Sequence, residues 1–174
     1  DGKWNKGEFS KSDGLFGKTL GLVGFGKIAQ ETAIRARAFG MKVIAASRSL
    51  TPELAAEFGV EYAENAFVLA GTSDIVSIHL ALNSDTKSSI STRFFDAMKD
   101  GSVFINTSRG EVVDQEALVA AMNAKGIKAG LDVFADEPAG ASGEYAHEII
   151  NHPNMYGTHH IGASTNQAQE AIAA

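Results

Sequence analysis

The sequence predicts an α/β fold in which helices cover both faces of a parallel sheet. Two observations predict it. From residue 19 onward, short apolar runs typical of strands alternate with stretches of helical spacing. The first apolar run, Thr19 to Val23, leads through a glycine turn directly into a helical pattern. A glycine turn at this position, in a chain of alternating elements, is typical of a doubly wound sheet of the Rossmann type.

Local signals predict the remaining elements in order. The first helix is expected over 27–39, because its apolar residues share one face: Ile28, Ala29, Thr32, Ala33, Ala36 and Phe39. Further strands are expected at 42–46, 60–62, 75–80, 103–106, 128–132 and 155–157. Further helices are expected at 52–58, 65–70, 92–98, 115–124 and from 164 onward, with Thr51, Asp114 and the pair Ser164 and Gln167 as caps.

Composition narrows the function classes. The 174 residues are enough for one domain, with 44% hydrophobic and 21% charged residues, as is ordinary for a globular protein. A net charge of −6 with no basic cluster argues against a nucleic-acid surface. The absence of cysteine excludes a disulfide scaffold and cysteine-based metal chemistry, and no metal is expected. The absence of cysteine is also compatible with a cytosolic protein, so a cytoplasmic location is expected. No apolar run has the length of a membrane span, so no membrane partner is expected.

The turn after the first strand has the spacing of a dinucleotide-binding loop. Its first glycine permits a tight turn, its second lets the backbone approach a pyrophosphate, and Ala29 lets the helix pack closely. The start of the helix offers N–H groups to the phosphates. The alternative is a glycine-rich turn without a ligand, but the strand before it and the helix after it favour nucleotide binding. The residues expected to contact the cofactor here are Gly24, Phe25, Gly26, Lys27 and Ile28.

Titratable side chains follow several later strands, and the carboxyl ends of parallel strands meet at one edge of the sheet. An arginine in 106–110 (Arg109), carboxylates in 132–138 and two histidines in 158–162 (His159 and His160) follow strands at that edge and suggest acid–base chemistry beside a hydride carrier. An arginine binds a substrate carboxylate with two parallel hydrogen bonds. A histidine exchanges a hydroxyl proton near neutral pH, and a glutamate bonded to it fixes its tautomer.

Each of these side chains also has an ordinary structural interpretation. Arg109 could tie down its own loop, and Glu137 could be a solvated loop acid. His79 lies at the end of the strand predicted over 75–80, where a histidine is more often a satisfied structural residue than a catalyst. His147 and His152 are expected at the surface. The coincidence of three functional groups at one edge is what favours chemistry.

Four motifs resemble the cofactor-binding domain of the D-isomer-specific 2-hydroxyacid dehydrogenases, most closely the phosphoglycerate dehydrogenase-like members. They occur in the family's order over nearly the whole chain: Gly21-Leu-Val-Gly-Phe-Gly-Lys-Ile-Ala29, Asn106-Thr-Ser-Arg-Gly-Glu-Val-Val-Asp114, Leu131-Asp-Val-Phe-Ala-Asp-Glu-Pro138 and His160-Ile-Gly-Ala-Ser-Thr165.

The resemblance implies an oxidoreductase that transfers a hydride between NAD(P) and a D-2-hydroxy acid, such as 3-phosphoglycerate. It implies that Arg109 binds and polarises the substrate, that His160 is the acid–base and that Glu137 is its partner. His160 is preferred to His159 because it directly precedes Ile-Gly. Asp132 would bind the nicotinamide carboxamide. The other expected cofactor contacts are Ser47, Arg48, Ser49, His79, Thr107, Ser108 and Gly162.

Two positions depart from the family's pattern. Ala81 stands where proline is common, which loosens the loop over the adenine side. Ser47 stands where an acidic residue would accept the ribose hydroxyls and repel a 2′-phosphate. Because Arg48 follows, the cofactor preference is expected to lean towards NADP(H). The alternative is that Arg48 faces solvent or stacks on adenine, which would leave dual specificity.

The resemblance also sets the expected domain organisation. Residues 1–18 are expected to form an irregular lead-in, and its aromatic side chains Trp4, Phe9 and Phe16 are expected to pack on the rest of the chain. Residues 19–174 are expected to form the dinucleotide-binding domain. The substrate domain would lie outside this chain, so the isolated chain is expected to be inactive and the full-length protein to be a homodimer or larger. One rival is a dinucleotide-sensing, corepressor-like interaction protein, since such proteins are similar and keep the same three residues. A nucleotide-binding module without chemistry is the other.

Overall fold

One parallel sheet organises the chain. The computed structural model describes residues 4, 6–10, 13–140 and 142–173. The strands are β1 (Thr19–Val23), β2 (Lys42–Ala46), β3 (Glu61–Tyr62), β4 (Ile75–Ile78), β5 (Val103–Asn106), β6 (Lys128–Leu131) and β7 (Met155–Gly157). The helices are α1 (Lys6–Phe9), α2 (Lys27–Ala38), α3 (Pro52–Glu57), α4 (Ala66–Thr72), α5 (Thr92–Ala97), α6 (Gln115–Lys125) and α7 (Asn166–Ala173).

The sheet has the order β3-β2-β1-β4-β5-β6-β7, and every pairing is parallel. The predicted doubly wound fold is therefore confirmed. The chain moves outward from β1 to β3 and then returns to the other side of β1 with β4. Ligands of such sheets bind at this reversal, beyond the carboxyl ends of the strands.

Two apolar clusters cover the two faces of the sheet, and alternate residues of each strand supply them. In β2, Val43 and Ala45 join the cluster that contains α2 and α3. Ile44 and Ala46 join the cluster that contains α4, α5 and α6. This alternation with a period of two residues is what a strand buried on both faces produces. The edge of the sheet at the carboxyl ends of the strands lies between the two helical layers and is where a ligand is expected to bind.

The prediction that the apolar residues of α2 share one buried face is only partly correct. Ala29, Ala33 and Ala36 are buried, whereas Ile28 and Phe39 are 74% and 65% exposed. The three alanines lie at i, i+4 and i+7, and their small side chains let the helix approach the sheet closely. A contact this narrow has no room for the two larger side chains at its flanks.

The lead-in differs from the expectation in two respects. It contains one helical turn, α1, where an irregular segment was expected. Trp4 and Phe16 are 94% and 86% exposed, so the prediction that they anchor the lead-in is wrong for both. Only an edge of the Phe16 ring lies over Gly40. The side chain of Phe9 lies outside the described residues.

Most helix and strand boundaries agree with the expectation to within two residues, and the last helix corrects one cap. The Thr165 hydroxyl, not that of Ser164, accepts a hydrogen bond from the Ala168 N–H at 3.2 Å, so the predicted Ser164 capping box is wrong. The Ser164 N–H instead donates to the Ile161 carbonyl, which places Ser164 in the preceding turn. Two 3₁₀ turns, Gly110–Val112 and Glu148–Asn151, were not predicted. Across the described ranges, no helix combines the length and the apolar character that a membrane crossing would require.

Candidate functional site

The glycine turn after β1 lies at the point where the strand order of the sheet reverses, between β2 and β4. Gly24 has φ +91, and its N–H donates to the Ala46 carbonyl at 2.8 Å. A Cβ on Gly24 would lie 2.6 Å from the carbonyl oxygen of His79, so only glycine fits between β2 and β4. A Cβ on Gly26 would meet no atom within 4 Å. The backbone at Gly26 is therefore open to an approaching group.

The start of α2 fits a dinucleotide phosphate. Among the residues that the structure describes, no side chain caps this helix at Gly26, so its first N–H groups face outward. Lys27 and Ile28 are exposed beside them. Phe25 differs: its ring is buried against Phe58, with centroids 5.4 Å apart, so only its backbone can reach a ligand. Unpaired N–H donors, the positive helix end and an open glycine suit an anion.

Ser47, Arg48 and Ser49 follow β2 and lie on the adenosine side expected for a dinucleotide. Ser47 is half-buried, and the other two are exposed. Arg48 already has a partner, because its Nη1 lies 3.3 Å from Oδ2 of Asp85, in the loop after β4. Both side chains of this ion pair are mostly solvent-exposed. Any anion that binds Arg48 must therefore compete with Asp85.

His79 directly follows β4, and its imidazole is turned towards the sheet. Its Nε2 lies 3.0 Å from the hydroxyl of the buried Ser77. Burial lowers the pKa of His79, so the ring is neutral near pH 7. This agrees with the alternative of a satisfied histidine at a strand end. A contact between His79 and a cofactor stays a prediction.

A buried asparagine shapes the loop that carries Arg109. Asn106 is 1% exposed, and its Oδ1 accepts hydrogen bonds from the N–H and the hydroxyl of Ser108, at 3.0 and 2.8 Å. Its Nδ2 donates to the Arg109 carbonyl at 2.9 Å. Thr107 and Arg109 are exposed, and the Arg109 guanidinium donates to the Ser108 carbonyl at 2.6 Å. That single bond leaves most of the five guanidinium donors for a ligand.

Gly110 joins this loop to the segment that carries Glu137. A Cβ on Gly110 would overlap the carbonyl group of Phe134 and lie 2.5 Å from the N–H nitrogen of Ala135. The two backbones are therefore in direct contact. The residue after Arg109 and the turn before Glu137 form one packed unit, which brings two of the predicted functional groups to neighbouring positions.

Glu137 and His160 are hydrogen-bonded. Oε1 of Glu137 lies 2.5 Å from Nδ1 of His160, and Oε2 accepts from the Phe134 N–H at 3.0 Å. The carboxylate therefore holds the imidazole by Nδ1, which leaves Nε2 for a substrate. The His160 side chain is 49% exposed. His159 is exposed beside it, but it is His160 that Glu137 contacts.

Asp132 holds the segment around His160. Its Oδ1 accepts from the Thr158 hydroxyl at 2.5 Å and from the Ile161 N–H at 3.0 Å, and its Oδ2 accepts from the Gly162 N–H at 2.9 Å. Burial by itself raises the pKa of Asp132, but these three hydrogen bonds and nearby His160 outweigh it, so the pKa lies below its ordinary value. The ionised Asp132 carboxylate therefore orders the 158–162 segment through these hydrogen bonds.

Several contributors were not predicted from the sequence. Asn106 shapes its loop through local bonds to Ser108 and Arg109. Thr158 bonds to Asp132, 26 residues away, so its role depends on two distant segments meeting. His147, expected at the surface, stacks on Tyr145 with ring centroids 6.2 Å apart, and His152 is half-buried next to Asn123. Within the described part of the chain, no three His, Asp or Glu side chains are grouped as metal ligands would be.

Comparison with known proteins agrees with this geometry. The family described as "D-isomer specific 2-hydroxyacid dehydrogenase, NAD binding domain" matches residues 1–162. The chain is 41% identical over 179 residues to a glyoxylate reductase of Thermococcus litoralis and 42% identical over 173 residues to a hydroxypyruvate reductase of Thermotoga maritima. These alignments cover 99% of this chain but 52% and 54% of the relatives, so the chain spans about half of their length.

Relatives with other names are similar at a comparable level. A D-3-phosphoglycerate dehydrogenase of Bacillus subtilis is 39% identical over 173 residues, which cover 99% of this chain and 32% of that protein. Among solved structures, the holo form of Rhodotorula graminis D-mandelate dehydrogenase superposes with a TM-score of 0.86 at 34% identity. It covers 95% of this chain and 48% of that one. The names of these relatives refer to different acids: glyoxylate, hydroxypyruvate, 3-phosphoglycerate and mandelate.

Proposed function

Because the chain belongs to the D-isomer-specific 2-hydroxyacid dehydrogenases and matches their NAD-binding domain, we propose that it is the cofactor half of an enzyme that oxidises or forms a D-2-hydroxy acid. The observation that carries the proposal is the Glu137–His160 hydrogen bond at the edge of the sheet where the glycine turn lies. A nicotinamide dinucleotide, when bound there, supplies the hydride carrier. The glycine turn and the start of α2 would hold its phosphates.

The chain's own residues divide the rest of the work. His160 would exchange the substrate hydroxyl proton through Nε2, because Nδ1 is held by Glu137. Arg109 would bind the substrate carboxylate and polarise the neighbouring carbonyl with the donors that Ser108 leaves unused. Asp132 would keep His160 in place through the N–H groups of Ile161 and Gly162, and its predicted contact with the carboxamide is a further proposal.

The substrate is proposed at the level of its reactive group. Glyoxylate, hydroxypyruvate and phosphoglycerate, which the relatives' names include, all carry a carboxylate beside an oxygen-bearing carbon, and this is the group that an arginine and a histidine can handle together. We keep 3-phosphoglycerate as one candidate. The residues that would choose among side chains are expected in the substrate domain, which we propose lies in sequence flanking the 174 residues.

Steady-state assays on a longer protein that includes the flanking sequence test the function. Each candidate 2-oxo acid is offered with NADH or NADPH, and each 2-hydroxy acid with the oxidised cofactor. Arg109→Ala should raise KM and lower kcat together, because the guanidinium both holds and polarises the substrate. No turnover with any acid, while dinucleotide binding persists, would instead favour the corepressor-like interaction protein.

The cofactor preference is proposed to lean towards NADP(H), with a limit set by Asp85. Ser47 removes the usual acidic repulsion, and Arg48 and Ser49 offer donors to a 2′-phosphate. Asp85, paired with Arg48 at 3.3 Å, opposes that phosphate. An exposed ion pair contributes at most about 1 kcal/mol, or roughly fivefold in affinity. Asp85→Asn should tighten NADP binding by up to that factor and leave NAD binding unchanged.

Calorimetric titration of both oxidised cofactors into the 174-residue chain measures this preference. Asp100→Asn is a matched control, because Asp100 precedes β5 at the opposite edge of the sheet. Tighter binding of NAD than of NADP in both the parent chain and Asp85→Asn would overturn the proposed preference. An Arg48→Ala variant that keeps its NADP affinity would also do so.

The full-length protein is proposed to be a homodimer or larger assembly. Ile28 and Phe39 on and beside α2 are mostly exposed, and Ile34 of the same helix is 51% exposed. Exposed apolar side chains mark an interface only where they form one contiguous patch, so the proposal rests mainly on the family to which the chain belongs. Light scattering on the longer protein gives the oligomeric state, and a monomer at all concentrations would contradict the proposal. A cytoplasmic location stays a prediction.

A further inference from the structure

A closed ring of three hydrogen bonds lies next to the Glu137–His160 pair. The Gln115 side-chain amide donates to the Tyr145 hydroxyl at 2.8 Å. That hydroxyl donates to the Ala135 carbonyl at 3.0 Å. The Ala135 N–H donates back to Oε1 of Gln115 at 3.2 Å. Both backbone groups of Ala135 are therefore held from one side by two side chains that are 30 residues apart in sequence.

The ring supports a turn with an uncommon backbone. Asp136, the next residue, has φ +55, a left-handed conformation that residues with a Cβ seldom adopt. Such conformations persist where the surroundings over-determine them. The Phe134 N–H on the other side of Ala135 donates to Glu137. Fixing Ala135 thus fixes the turn from which the Glu137 carboxylate reaches His160.

The two side chains are themselves well anchored. Gln115 is the first residue of α6 and is 8% exposed. The Tyr145 ring packs on Phe134 with centroids 5.4 Å apart and on His147 at 6.2 Å. Burial raises the pKa of Tyr145; the bond from Gln115 opposes this, and nearby Asp136 and Glu137 add to it. The hydroxyl therefore stays protonated and remains a donor.

We propose that Gln115 and Tyr145 are positioning residues that fix the Glu137 turn and thereby select the tautomer and orientation of His160. Neither side chain needs to touch substrate or cofactor to do so. The catalytic consequence rests on the proposed function, but the effect on His160 does not. A purely structural role, in which Tyr145 only tethers the loop before the second 3₁₀ turn, would change stability and leave the imidazole of His160 unaffected.

Nitrogen-15 NMR of the imidazole rings in the 174-residue chain separates these roles, because the two ring nitrogens report the tautomer directly. At a pH where His160 is neutral, the parent chain should show the Nδ1–H form, with Glu137 as the acceptor. Glu137→Ala gives the reference for a lost contact. Tyr145→Phe removes only the hydroxyl and should shift His160 towards that reference. Tyr62→Phe is the control, since Tyr62 lies in β3 at the far edge of the sheet.

Gln115→Met is the second variant, because it keeps the side-chain length and removes the amide. It should shift the tautomer in the same direction as Tyr145→Phe. Unchanged His160 nitrogen shifts in both variants would overturn the proposal, as would a parent chain without the Nδ1–H form. Global loss of the folded spectrum in both variants would also overturn it, since the ring would then be required for folding and not for positioning.

Kinetics on the longer protein give the catalytic consequence. Tyr145→Phe should lower kcat by about tenfold with little change in KM, because misorientation of an acid–base group by a fraction of an ångström slows transfer without weakening binding. Tyr62→Phe should keep the parent kcat. A rise in KM at constant kcat would overturn the positioning role. If the parent protein has no turnover, the proposed function fails, whereas the tautomer measurement still decides the contact.

Discussion

His160 shows how much of the site depends on single-residue geometry. Its φ of +54 is uncommon for a residue with a Cβ. Its N–H donates to the Asp132 carbonyl at 2.8 Å, and the next two N–H groups donate to the Asp132 carboxylate. Asp132 thus holds the backbone on which the ring stands, and Glu137 holds the ring. An ordered backbone and a fixed tautomer are what an acid–base group requires.

The choice between adjacent histidines gives a prediction at this scale. In the longer protein, His160→Ala should lower kcat by about 100-fold or more, the usual scale for loss of an acid–base group. His159→Ala should keep kcat close to that of the parent, because His159 is exposed and Glu137 contacts its neighbour. Steady-state kinetics on both variants decide the matter. The reverse order of effects would assign the chemistry to His159.

Asp132 gives a prediction about pH. Its pKa is lower in the folded chain than the unfolded value of about 3.9. A depressed pKa of this sign stabilises the fold above the unfolded value, and the stabilisation is lost as the pH falls through the folded pKa. Asp132→Asn, which sets an amide against three donors, should lower the free energy of unfolding by about 1–3 kcal/mol at neutral pH. The difference from the parent chain should shrink in acid.

Denaturant unfolding of the parent chain and the variant over a series of pH values measures this effect. Asp96→Asn is the control, because Asp96 is exposed on α5 and should change the free energy of unfolding by less than about 0.5 kcal/mol. A gap between the parent chain and Asp132→Asn that stays constant into acid would show that the carboxylate charge contributes nothing to the 158–162 segment.

At the scale of elements, the sequence predicted the features that depend on residues close together in the chain, such as turns and helix caps. The glycine turn after β1 and the caps at Thr51 and Asp114 lie where their residue types place them. The Arg109, Glu137 and His160 segments were also correctly expected at one edge, because parallel strands bring their carboxyl ends together. The alternation of strands and helices was sufficient to predict a parallel, doubly wound sheet.

The features that could not be predicted depend on contacts between distant segments. No spacing rule links Gln115 to Tyr145 or Asp132 to Thr158, because each pair meets only after the sheet has formed. The outward position of Ile28 and Phe39 depends on how closely α2 approaches the sheet. The cap at Thr165 follows a turn in which the Ser164 N–H donates to the Ile161 carbonyl. Periodicity in one sequence contains none of this information.

The contact between two loops gives the prediction at the element scale. Gly110 lies so close to the Phe134 carbonyl that a Cβ cannot be added without moving one of the two backbones. Gly110→Ala should lower the free energy of unfolding by about 1–3 kcal/mol, the usual cost of overpacking. Gly14→Ala is the control, because its Cβ would meet no atom within 4 Å. Equal stability of the two variants, measured by denaturant unfolding, would contradict the packed contact.

At the scale of the whole molecule, the residues proposed to bind the cofactor and those proposed to be catalytic differ in how far the chain encloses them. The glycine turn, the rim after β2 and the Asp132 network are built from residues within the chain. The groups proposed to be catalytic, in contrast, are partly solvent-exposed: the His160 side chain by 49% and that of Glu137 by 32%. Hydride transfer requires a site that excludes water and a substrate held in position. The 174-residue chain should therefore bind the cofactor without catalysing turnover of a substrate.

The last prediction follows from that separation. The 174-residue chain alone should bind a nicotinamide dinucleotide in a calorimetric titration, because the glycine turn proposed to bind the phosphates lies wholly within it. Gly26→Leu should abolish this binding by filling the open space at the turn, whereas Gly14→Ala should not. With the same acids and cofactors that the longer protein turns over, the chain should remain far below the roughly 10 per second that is ordinary for an enzyme. Turnover at that rate by the chain alone would mean that the exposed Arg109, Glu137 and His160 need no second domain, and the proposed division of the enzyme into two halves would be wrong.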